Sequence, residues 1–429
     1  MSYKKRYDSK RRALYKGEYQ RYDGRYMYRW TDYFGKRHAV YASDLDTLRI
    51  KEEKIELNRL EGIRVPPSGL TIESLYDTWI SLKRGIRSTT RTRYKQTFDT
   101  LIRPSIGKKL VIDIKRSHIR AFYITLLDEK KLSIGSVENV HTVLHQVFQY
   151  AVDDDILRKN PCDHILREIK LSYSNLKGAK RQSLTIREEI NFLKYLQESP
   201  RYARWYPTFF IMANTGLRVG ELTGLRWKDI DLDNGIIDVN HTLVYFNHMD
   251  DKGSYFSIHT PKTENGIRKV IMTQAVKDAF LMEKEYQEQA NFKSFDKIDG
   301  YENFIFINSL GHIHNQASLN RAIHRIVNNY NIDLAKKDDY DPEDLLPHFS
   351  CHILRHTYAT RMIESGASWK YTQYSLGHSE IQTTMDIYVS VSEEFQQKEN
   401  ESFEEYMKSA FTKDTSKNEP SNVIITKLA

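Results

Sequence analysis

The chain has 429 residues, a formal net charge of +8 and a pI near 9.0, and 40% of its residues are hydrophobic. This length predicts two or three domains, and the positive charge suits a polyanionic partner such as a nucleic acid. Cys162 and Cys351 are too few for a disulfide framework, no apolar run reaches the ~18 residues of a membrane span, and no apolar stretch follows the basic N-terminus. The composition therefore excludes a disulfide scaffold, a membrane protein and a secretory signal peptide, and it predicts a cytoplasmic protein.

Residues 1–64 are predicted to form a small basic domain. Between residues 1 and 42, lysine and arginine outnumber aspartate and glutamate by twelve to four. Asp23-Gly24 lies between two aromatic-rich runs, which indicates a β-hairpin, and a second turn leads to a third strand. Ser43 is placed to cap the helix that follows. The pattern predicts a small three-stranded sheet with one helix.

The basic sheet has two interpretations. Its cations either form an ordinary solvated face or bind DNA phosphates, with strands in a groove. The candidates for DNA binding are the cations on and between the strands: Arg21, Arg25, Arg29, Lys36 and Arg37.

Residues 65–171 are predicted to form an all-α bundle after a Pro- and Gly-containing linker. Apolar residues of its first helix recur at helical spacing: Ile72, Leu75, Trp79 and Leu82. Further helices are predicted over residues 88–101, 115–129 and 134–153. Cations that either face solvent or bind DNA cluster after the first helix: Arg84, Arg87, Arg91 and Arg93.

Residues 172–182 are predicted to be a charged linker. Lys180 and Arg181 lie at its end. They either contact the DNA backbone or are simply solvated.

Residues 183–392 are predicted to form a mainly α domain with a small antiparallel sheet. Thr185 and Glu188 fit a capping box at the start of its first helix. Three strands are predicted at residues 236–246, 255–260 and 268–272. Residues 393–429 are predicted to hold an amphipathic tail helix and a flexible end.

Four blocks in the C-terminal half carry side chains suited to phosphate chemistry. In chain order they are Thr215-Gly216-Leu217-Arg218-Val219-Gly220-Glu221, Thr260-Pro261-Lys262-Thr263, His352-Ile353-Leu354-Arg355-His356, and Leu376-Gly377-His378 followed by Tyr388. Arginine offers a rigid fork of donors to phosphate oxygens, histidine exchanges protons near neutral pH, and tyrosine can act as a covalent nucleophile. His352 and Arg355 share one helical face because they are three residues apart.

In this order, the blocks resemble those of the tyrosine recombinases, or phage-type integrases. The resemblance is specific over residues 183–392, and over the N-terminal half it concerns the domain layout. It implies a multidomain α+β protein with an arm-type DNA-binding domain at 1–64, a core-binding domain at 65–171, a linker at 172–182, a catalytic domain at 183–392 and a tail. In this layout the chain is most similar to integrases of conjugative transposons and phages of Gram-positive bacteria.

The resemblance implies catalytic roles for six residues: Arg218, Lys262, His352, Arg355, His378 and Tyr388. Tyr388 would attack a DNA phosphorus and form a 3′-phosphotyrosyl link, while the two arginines would stabilise the transition-state charge. Lys262 would protonate the leaving 5′-oxygen, His352 would handle the tyrosine proton, and His378 would hydrogen-bond the phosphate. Glu221 would orient the first arginine or His352. No ATP, metal or other cofactor would be needed, because the phosphotyrosine conserves the bond energy.

Other interpretations of these residues stay open. His348, His352 and His356 are spaced four apart and could mimic a metal-binding face, but no acidic residue stands where a His-Glu-x-x-His motif needs one. We expect His356 to be buried and hydrogen-bonded rather than catalytic. Three tyrosines compete with Tyr388 as nucleophiles, with packing as their alternative role: Tyr358, Tyr371 and Tyr374.

Two other functions compete with that of an integrase. A DNA-binding regulator that no longer cuts is disfavoured because all six catalytic positions are filled. A DNA-relaxing topoisomerase is disfavoured by the N-terminal domain and the tail helix.

An integrase would have several partners. It would bind double-stranded DNA at arm-type and core-type sites, at the ends of its element and at the target. It would act as a homotetramer on synapsed DNA, with the tail helix docked on a neighbouring protomer or on its own domain, and it would use an excisionase and a DNA-bending protein. It would be a bacterial, nucleoid-associated protein without membrane contact.

Overall fold

The structure is a computed structural model that describes residues 6–31, 35, 37–60, 69–173, 183–261, 264–382, 385, 397 and 400–408. The chain divides into two compact units, residues 1–178 and 179–429. Within the described ranges, no helix combines the length and the apolar character that crossing a membrane requires.

The first unit begins with two antiparallel sheets and a helix. In chain order the elements are β1 (Arg6–Tyr7), β2 (Ala13–Leu14), β3 (Glu18–Gln20), β4 (Tyr26–Thr31), β5 (Arg37–Ala42) and α1 (Leu45–Leu60). Strand β4 lies between β3 and β5, so that Met27 stands opposite both Tyr19 and Tyr41. Helix α1 packs through Leu45 and Leu48 on the face of the sheet opposite to the Met27 side chain. The predicted three-stranded sheet with one helix is confirmed.

Two details of this region differ from the prediction. The hairpin of β1 and β2 is not predicted, because two-residue strands show no hydrophobic periodicity. The Asp8 carboxylate holds it by accepting hydrogen bonds from the Arg12 amide at 2.7 Å and the Tyr26 hydroxyl at 2.9 Å. The cap of α1 is Asp44 rather than Ser43, since the Asp44 carboxylate accepts the backbone N–H three residues on at 2.8 Å.

Between residues 69 and 173 the described chain is helical. The elements are α2 (Ile72–Leu82), α3 (Ser88–Thr97), a π-helix (Phe98–Gly107), a 3-10 turn (Val111–Asp113), α4 (Arg116–Asp128), α5 (Ile134–Asp153) and α6 (Ile165–Ser172). The predicted end of the second helix at residue 101 is wrong, because the chain widens into the π-helix, where Pro104 offers no amide hydrogen. Helix α6 is not predicted. Leu82, which is expected on the apolar face of the first helix, is 60% exposed and lies outside the core.

The second unit is mainly helical and contains two small sheets. Its elements are α7 (Ile186–Glu198), α8 (Tyr206–Thr215), α9 (Val219–Gly224), β6 (Ile230–Asp231), β7 (Ile236–Val239), β8 (Thr242–Asn247), β9 (Ser254–His259), β10 (Arg268–Ile271), α10 (Gln274–Gln289), α11 (Gln316–Leu334), α12 (Cys351–Glu364) and α13 (Trp369–Leu376). The sheet order is β10-β7-β6, and β8 and β9 form a separate hairpin. Five of the helices, α7, α8, α10, α11 and α12, contribute large side chains to one core: Phe192, Phe209, Phe280, Ile323 and Leu354. The predicted mainly α domain with a small antiparallel sheet is confirmed.

The single strand predicted over residues 236–246 is wrong. The chain breaks at Asn240 and His241, so that β7 pairs with β10 and β8 pairs with β9. His241 is buried, with one ring nitrogen 2.7 Å from the Gly224 carbonyl oxygen and the other 2.5 Å from the Asn240 side chain. These hydrogen bonds hold a polar side chain in the interior and end the first strand.

The capping box of α7 is confirmed, and the residue before it is fixed from both sides. Thr185 and Glu188 exchange hydrogen bonds as predicted. The preceding residue, Leu184, donates its amide to the Thr357 hydroxyl at 2.9 Å and accepts a hydrogen bond from Arg361 at 2.9 Å. Both of these partners belong to α12.

The tail is described only in part. Residues 400–408 are helical, with Phe403 62% exposed and Tyr406 67% exposed. Phe395 and Phe411, which also support the predicted amphipathic helix, lie outside the described residues.

Candidate active site

Arg355 joins the ends of two helices. It lies on α12 and is only 4% exposed. One terminal nitrogen donates to the Gly216 carbonyl at 2.6 Å, and the other donates to the Leu376 carbonyl at 2.5 Å. Carbonyls at the C-terminal end of a helix have no partner within the helix. The guanidinium therefore satisfies carbonyls at the ends of α8 and α13 and fixes these ends beside α12.

Glycine is required at both helix ends. Gly216 follows α8 and Gly377 follows α13, and each has a φ of 62°, a left-handed conformation that favours glycine. A Cβ atom on Gly216 would lie 2.3 Å from the Tyr358 ring, and one on Gly377 would lie 2.9 Å from Arg268. The two glycine motifs are therefore tight helix ends, and each is closely followed by a predicted catalytic residue.

The Glu221 carboxylate binds two arginines. One oxygen accepts from the Arg218 guanidinium at 2.8 Å and the other from the Arg218 amide at 2.9 Å. The same oxygens accept from Arg268 at 3.2 and 2.9 Å. Burial alone would raise the pKa of Glu221, but the charges of Arg268, Arg218 and Arg355 lower it to about 2. The described contacts thus place Glu221 against Arg218, one of its two predicted partners, and not against His352.

Arg268 is the residue that sequence reasoning missed. Its side chain is fully buried, and its Nε donates to the Ser375 carbonyl at 2.7 Å, near the end of α13. The signal was present in the strand, because Arg268, Val270 and Met272 alternate onto one buried face. An arginine in that row needs a buried carboxylate partner, and Glu221 supplies it.

Three histidines surround the arginines in uncharged form. Burial, followed by the charges of Arg355 and Arg218, lowers the pKa of His378 to about 3 and also lowers that of His352. Burial, followed by the neighbouring His352, lowers the pKa of His356 to about 4. At neutral pH each ring is therefore uncharged in the free protein, with one nitrogen able to donate and the other able to accept a hydrogen bond.

The expectation that His356 is hydrogen-bonded is not met at its Nδ1 atom. Its ring lies edge-on to His352, with 4.5 Å between the ring centroids. Its Nδ1 atom is buried and has no hydrogen-bond partner among the described residues.

The cluster has more positive than negative charge. Arg218, Arg268 and Arg355 stand against the single carboxylate of Glu221, which leaves two positive charges uncompensated at neutral pH. Burial, and next the charge of Arg218, lowers the pKa of Arg355 to about 9. A bound anion would compensate the excess positive charge and would raise the pKa of Arg355. The Arg218 side chain is 42% exposed, so the cluster opens to solvent at this residue. The arrangement can bind a phosphate group and stabilise added negative charge on it.

Two predicted catalytic residues, Lys262 and Tyr388, lie outside the described residues. For Lys262 the flanking chain is informative: a Cβ atom on Gly266 would lie 2.5 Å from the Pro261 side chain. The two sides of this loop therefore approach each other closely next to β10.

The competing tyrosines occupy different environments. Tyr358 is partly buried, and its hydroxyl lies 3.0 Å from the Ser375 hydroxyl; burial raises its pKa. Tyr371 and Tyr374 are exposed on α13. Tyr358 thus has the packing role that was its alternative.

The predicted DNA-binding cations of the N-terminal sheet that the structure describes lie on or beside its solvent face. Four of them are exposed or half-exposed there: Arg21, Arg25, Arg29 and Arg37. The guanidinium of Arg29 lies 5.5 Å from the Tyr19 ring centroid, and that of Arg21 lies 5.5 Å from the Tyr41 ring centroid. Lys36 lies outside the described residues. The face combines cations with aromatic rings.

One predicted DNA-binding residue of the helical bundle has a structural partner. Arg91 donates to the carbonyl oxygens of Ile80 at 2.7 Å and Lys83 at 2.6 Å, at the end of α2. The neighbouring cations are exposed or half-exposed: Arg84, Arg87 and Arg93. Two more lie outside the described residues: Lys180 and Arg181.

Comparison with known proteins gives consistent matches along the chain. Three family profiles match: the DNA binding domain of tn916 integrase at residues 1–60, the phage integrase central domain at residues 72–167, and the phage integrase family at residues 182–394. The chain is 30% identical over 397 residues to the transposase from transposon Tn916 of Enterococcus faecalis, covering 90% of this chain and 93% of that protein. It is equally similar to the transposase from transposon Tn1545 of Streptococcus pneumoniae.

Solved structures give a related match. The chain is 27% identical to the Tn1549 transposon integrase in complex with a circular intermediate DNA. The TM-score is 0.66, and the match covers 78% of this chain and 99% of that chain.

Proposed function

The chain belongs to the phage integrase, or tyrosine recombinase, family, a family of enzymes that cut and rejoin DNA, and on that premise we propose that it integrates and excises a conjugative transposon or a related mobile element. The observation that carries the proposal is the buried cluster in which Glu221 holds Arg218 while Arg355 joins two helix ends. Similarity over nearly the whole length to the Tn916 and Tn1545 transposases supports the kind of element.

In the proposed reaction, the Tyr388 oxygen attacks a DNA phosphorus, and the bond from that phosphorus to the 5′-oxygen breaks. Arg218 and Arg355 bind the non-bridging oxygens and stabilise the charge of the transition state. His352 accepts the tyrosine proton, Lys262 donates a proton to the leaving 5′-oxygen, and His378 hydrogen-bonds the phosphate.

The products are a 3′-phosphotyrosyl link and a free 5′-hydroxyl. Attack by a 5′-hydroxyl of a second strand reverses the step and releases Tyr388, so the bond energy is conserved and neither ATP nor a metal takes part. The histidines have lowered pKa values before DNA binds, and the incoming phosphate raises them by adding negative charge. Phosphate binding therefore makes each histidine a stronger base than it is in the free protein.

The proposed partners follow from the same domain layout. The N-terminal sheet binds arm-type DNA sites, the helical bundle and the catalytic domain bind core-type sites, and the exposed apolar side chains of the tail, Phe403 and Tyr406, dock on a neighbouring protomer in a homotetramer on synapsed DNA. An excisionase and a DNA-bending protein set direction and geometry.

A covalent-trapping assay tests the reaction. The protein is incubated with nicked duplex DNA from the ends of its element, in chelator and without ATP, and protein–DNA adducts are resolved by denaturing electrophoresis. The wild type should form a protease-sensitive adduct, and Tyr388→Phe should bind the duplex without forming one. Tyr371→Phe, which alters an exposed rival tyrosine, should react like the wild type. An adduct with Tyr388→Phe would exclude Tyr388 as the nucleophile, and binding without any wild-type adduct would favour a DNA-binding regulator.

A further inference from the structure

Arg268 contacts three separate segments of the second unit. Its guanidinium donates to both oxygens of Glu221 and to the Ser375 carbonyl, and one terminal nitrogen lies 3.5 Å from the Gly266 carbonyl oxygen. Glu221 holds Arg218, and Ser375 lies three residues before His378. Arg268 itself starts β10, directly after the loop that contains Lys262. A single buried side chain thus connects the surroundings of three predicted catalytic groups.

The fit around Arg268 leaves little room for adjustment. A Cβ atom on Gly377 would lie 2.9 Å from one terminal nitrogen of Arg268 and 3.0 Å from the Asn265 carbonyl oxygen. On the other side, Gly266 lies against Pro261. The end of α13 lies against the Arg268 guanidinium on one side, and the Gly266 carbonyl oxygen lies 3.5 Å from it on the other. A change in the position of the guanidinium must therefore move at least one of them.

Stability alone is a weak explanation for such a residue. Removing two charges from water offsets most of their attraction, so a buried ion pair commonly adds little compared with apolar side chains of the same volume. The same unit contains a comparable pair, Arg226 with Asp229, joined by two hydrogen bonds of 2.8 Å and nearly as buried. None of the described contacts of Arg226 involves a predicted catalytic residue. The two ion pairs are therefore similar in burial, but only the pair of Arg268 with Glu221 contacts the surroundings of predicted catalytic residues.

We propose that Arg268 is a positioning residue for strand cleavage, whose guanidinium fixes the spacing between Arg218, His378 and the loop that carries Lys262. The proposal rests on the proposed function, because it takes these three groups as those that act on the scissile phosphate. Arg268 does not touch the phosphate, and it acts by holding the groups that do.

Replacement by lysine separates the charge of Arg268 from its geometry. Lysine keeps the positive charge beside Glu221 but cannot reproduce the planar fork that reaches both carboxylate oxygens and Ser375. In Arg268→Lys we expect the single-turnover cleavage rate at saturating nicked DNA to fall about 100-fold, which is the effect of a misplacement of about 1 Å. The dissociation constant for the same DNA should stay within about twofold of wild type, because most binding contacts lie elsewhere.

Arg226→Lys is the matched control. It removes the same kind of fork from an equally buried pair, so it should lower the unfolding temperature by a similar amount. Its cleavage rate per folded molecule should equal that of the wild type. Equal rate losses in Arg268→Lys and Arg226→Lys, or an unchanged rate in Arg268→Lys, would overturn the proposal.

The pH dependence of cleavage distinguishes positioning from mere stability. Arg268 helps to lower the pKa of Glu221 and, after burial and the charges of Arg355, Arg218 and His356, that of His378. Arg268→Met removes this charge, so both pKa values rise, and the acid limb of the rate profile should move to higher pH. A purely structural role would reduce the amplitude of the profile at every pH and leave its shape unchanged.

The Tyr388→Phe protein keeps this test separate from that of the proposed function. If Tyr388→Phe still forms an adduct, the assignment of the nucleophile fails whatever Arg268 does. If Tyr388→Phe is inactive while Arg268→Lys cleaves like the wild type, only the positioning role fails.

Discussion

The chain holds arginines in two opposite ways. On the N-terminal sheet, Arg21 and Arg29 lie on an exposed face beside the rings of Tyr41 and Tyr19. In the catalytic domain, Arg268 and Arg355 are buried and donate to carbonyls and to a carboxylate. An exposed cation over a ring can adapt to a phosphate wherever the DNA presents one. A buried guanidinium is fixed before DNA arrives, which suits a reaction that depends on position.

Removing the carboxylate at the centre of the buried cluster should give the largest effect. In Glu221→Gln, Arg268 keeps its burial and loses its counter-charge, and breaking a buried pair in this way costs about 3–5 kcal/mol of unfolding free energy. Arg218 also loses its anchor, so we expect the adduct in the trapping assay to be lost. Denaturant unfolding gives the stability change.

Asp23→Asn is the counterpart on the exposed sheet, where Asp23 lies 3.5 Å from Arg21 and 3.9 Å from Arg25. Exposed pairs contribute little, so neither stability nor cleavage should change measurably. Equal destabilisation by the two substitutions would remove the distinction between buried and exposed arginines.

The two regions should also respond to pH in opposite directions. On the inner side of the N-terminal sheet, burial and the nearby Glu18 raise the pKa of Glu52 to about 7, with Arg49 and Glu56 also facing it. A raised carboxyl pKa favours folding at low pH, so stability is lost as pH rises from 4.5 to about 7. In the catalytic domain, the lowered pKa of His378 has the reverse effect, and stability is lost as pH falls below the usual histidine value of about 6.5.

Hydrogen–deuterium exchange of the intact protein at about pH 5 and about pH 7.5, corrected for intrinsic rates, measures both effects. Protection of α1 should be higher at the lower pH, and protection of α12 and α13 should be higher at the higher pH. Glu52→Gln should make protection of α1 independent of pH. A parallel change in both regions would contradict the prediction.

A substitution on the exposed face of the N-terminal sheet should give the smallest effect, measured as a change in the salt dependence of DNA binding. If Arg29 contacts a phosphate, Arg29→Ala should reduce the slope of log binding constant against log salt by about 0.9 for duplex from the element ends, since each contact releases about that many counterions. Arg59→Ala, at the exposed end of α1, is the matched control and should leave the slope unchanged. An unchanged slope in Arg29→Ala would exclude a phosphate contact by this residue.

The sequence predicted those parts of the molecule that depend on local patterns. The Asp23-Gly24 turn, the capping box of Thr185 with Glu188, and the two glycine motifs all carry their information within a few residues. For this reason the three-stranded sheet and the start of α7 could be inferred from the order of the amino acids alone, and the glycine motifs marked the positions of Arg218 and His378.

The parts that escaped prediction depend on partners that are distant in the chain. His241 ends a strand because the Gly224 carbonyl lies beside it, and Arg268 is buried because Glu221, 47 positions earlier, points at it. Neither partner is visible in the pattern around the residue. The hairpin of β1 and β2 was missed for a different reason, because its strands are too short to show a period.

The fixation of Leu184 has a mechanical consequence. Both main-chain groups of this residue are held by Thr357 and Arg361, which follow Arg355 on the same helix, α12. A force applied to the chain just before Leu184 therefore acts on the catalytic helix as well as on α7. Leu184 thus couples the start of α7 mechanically to the helix that carries Arg355.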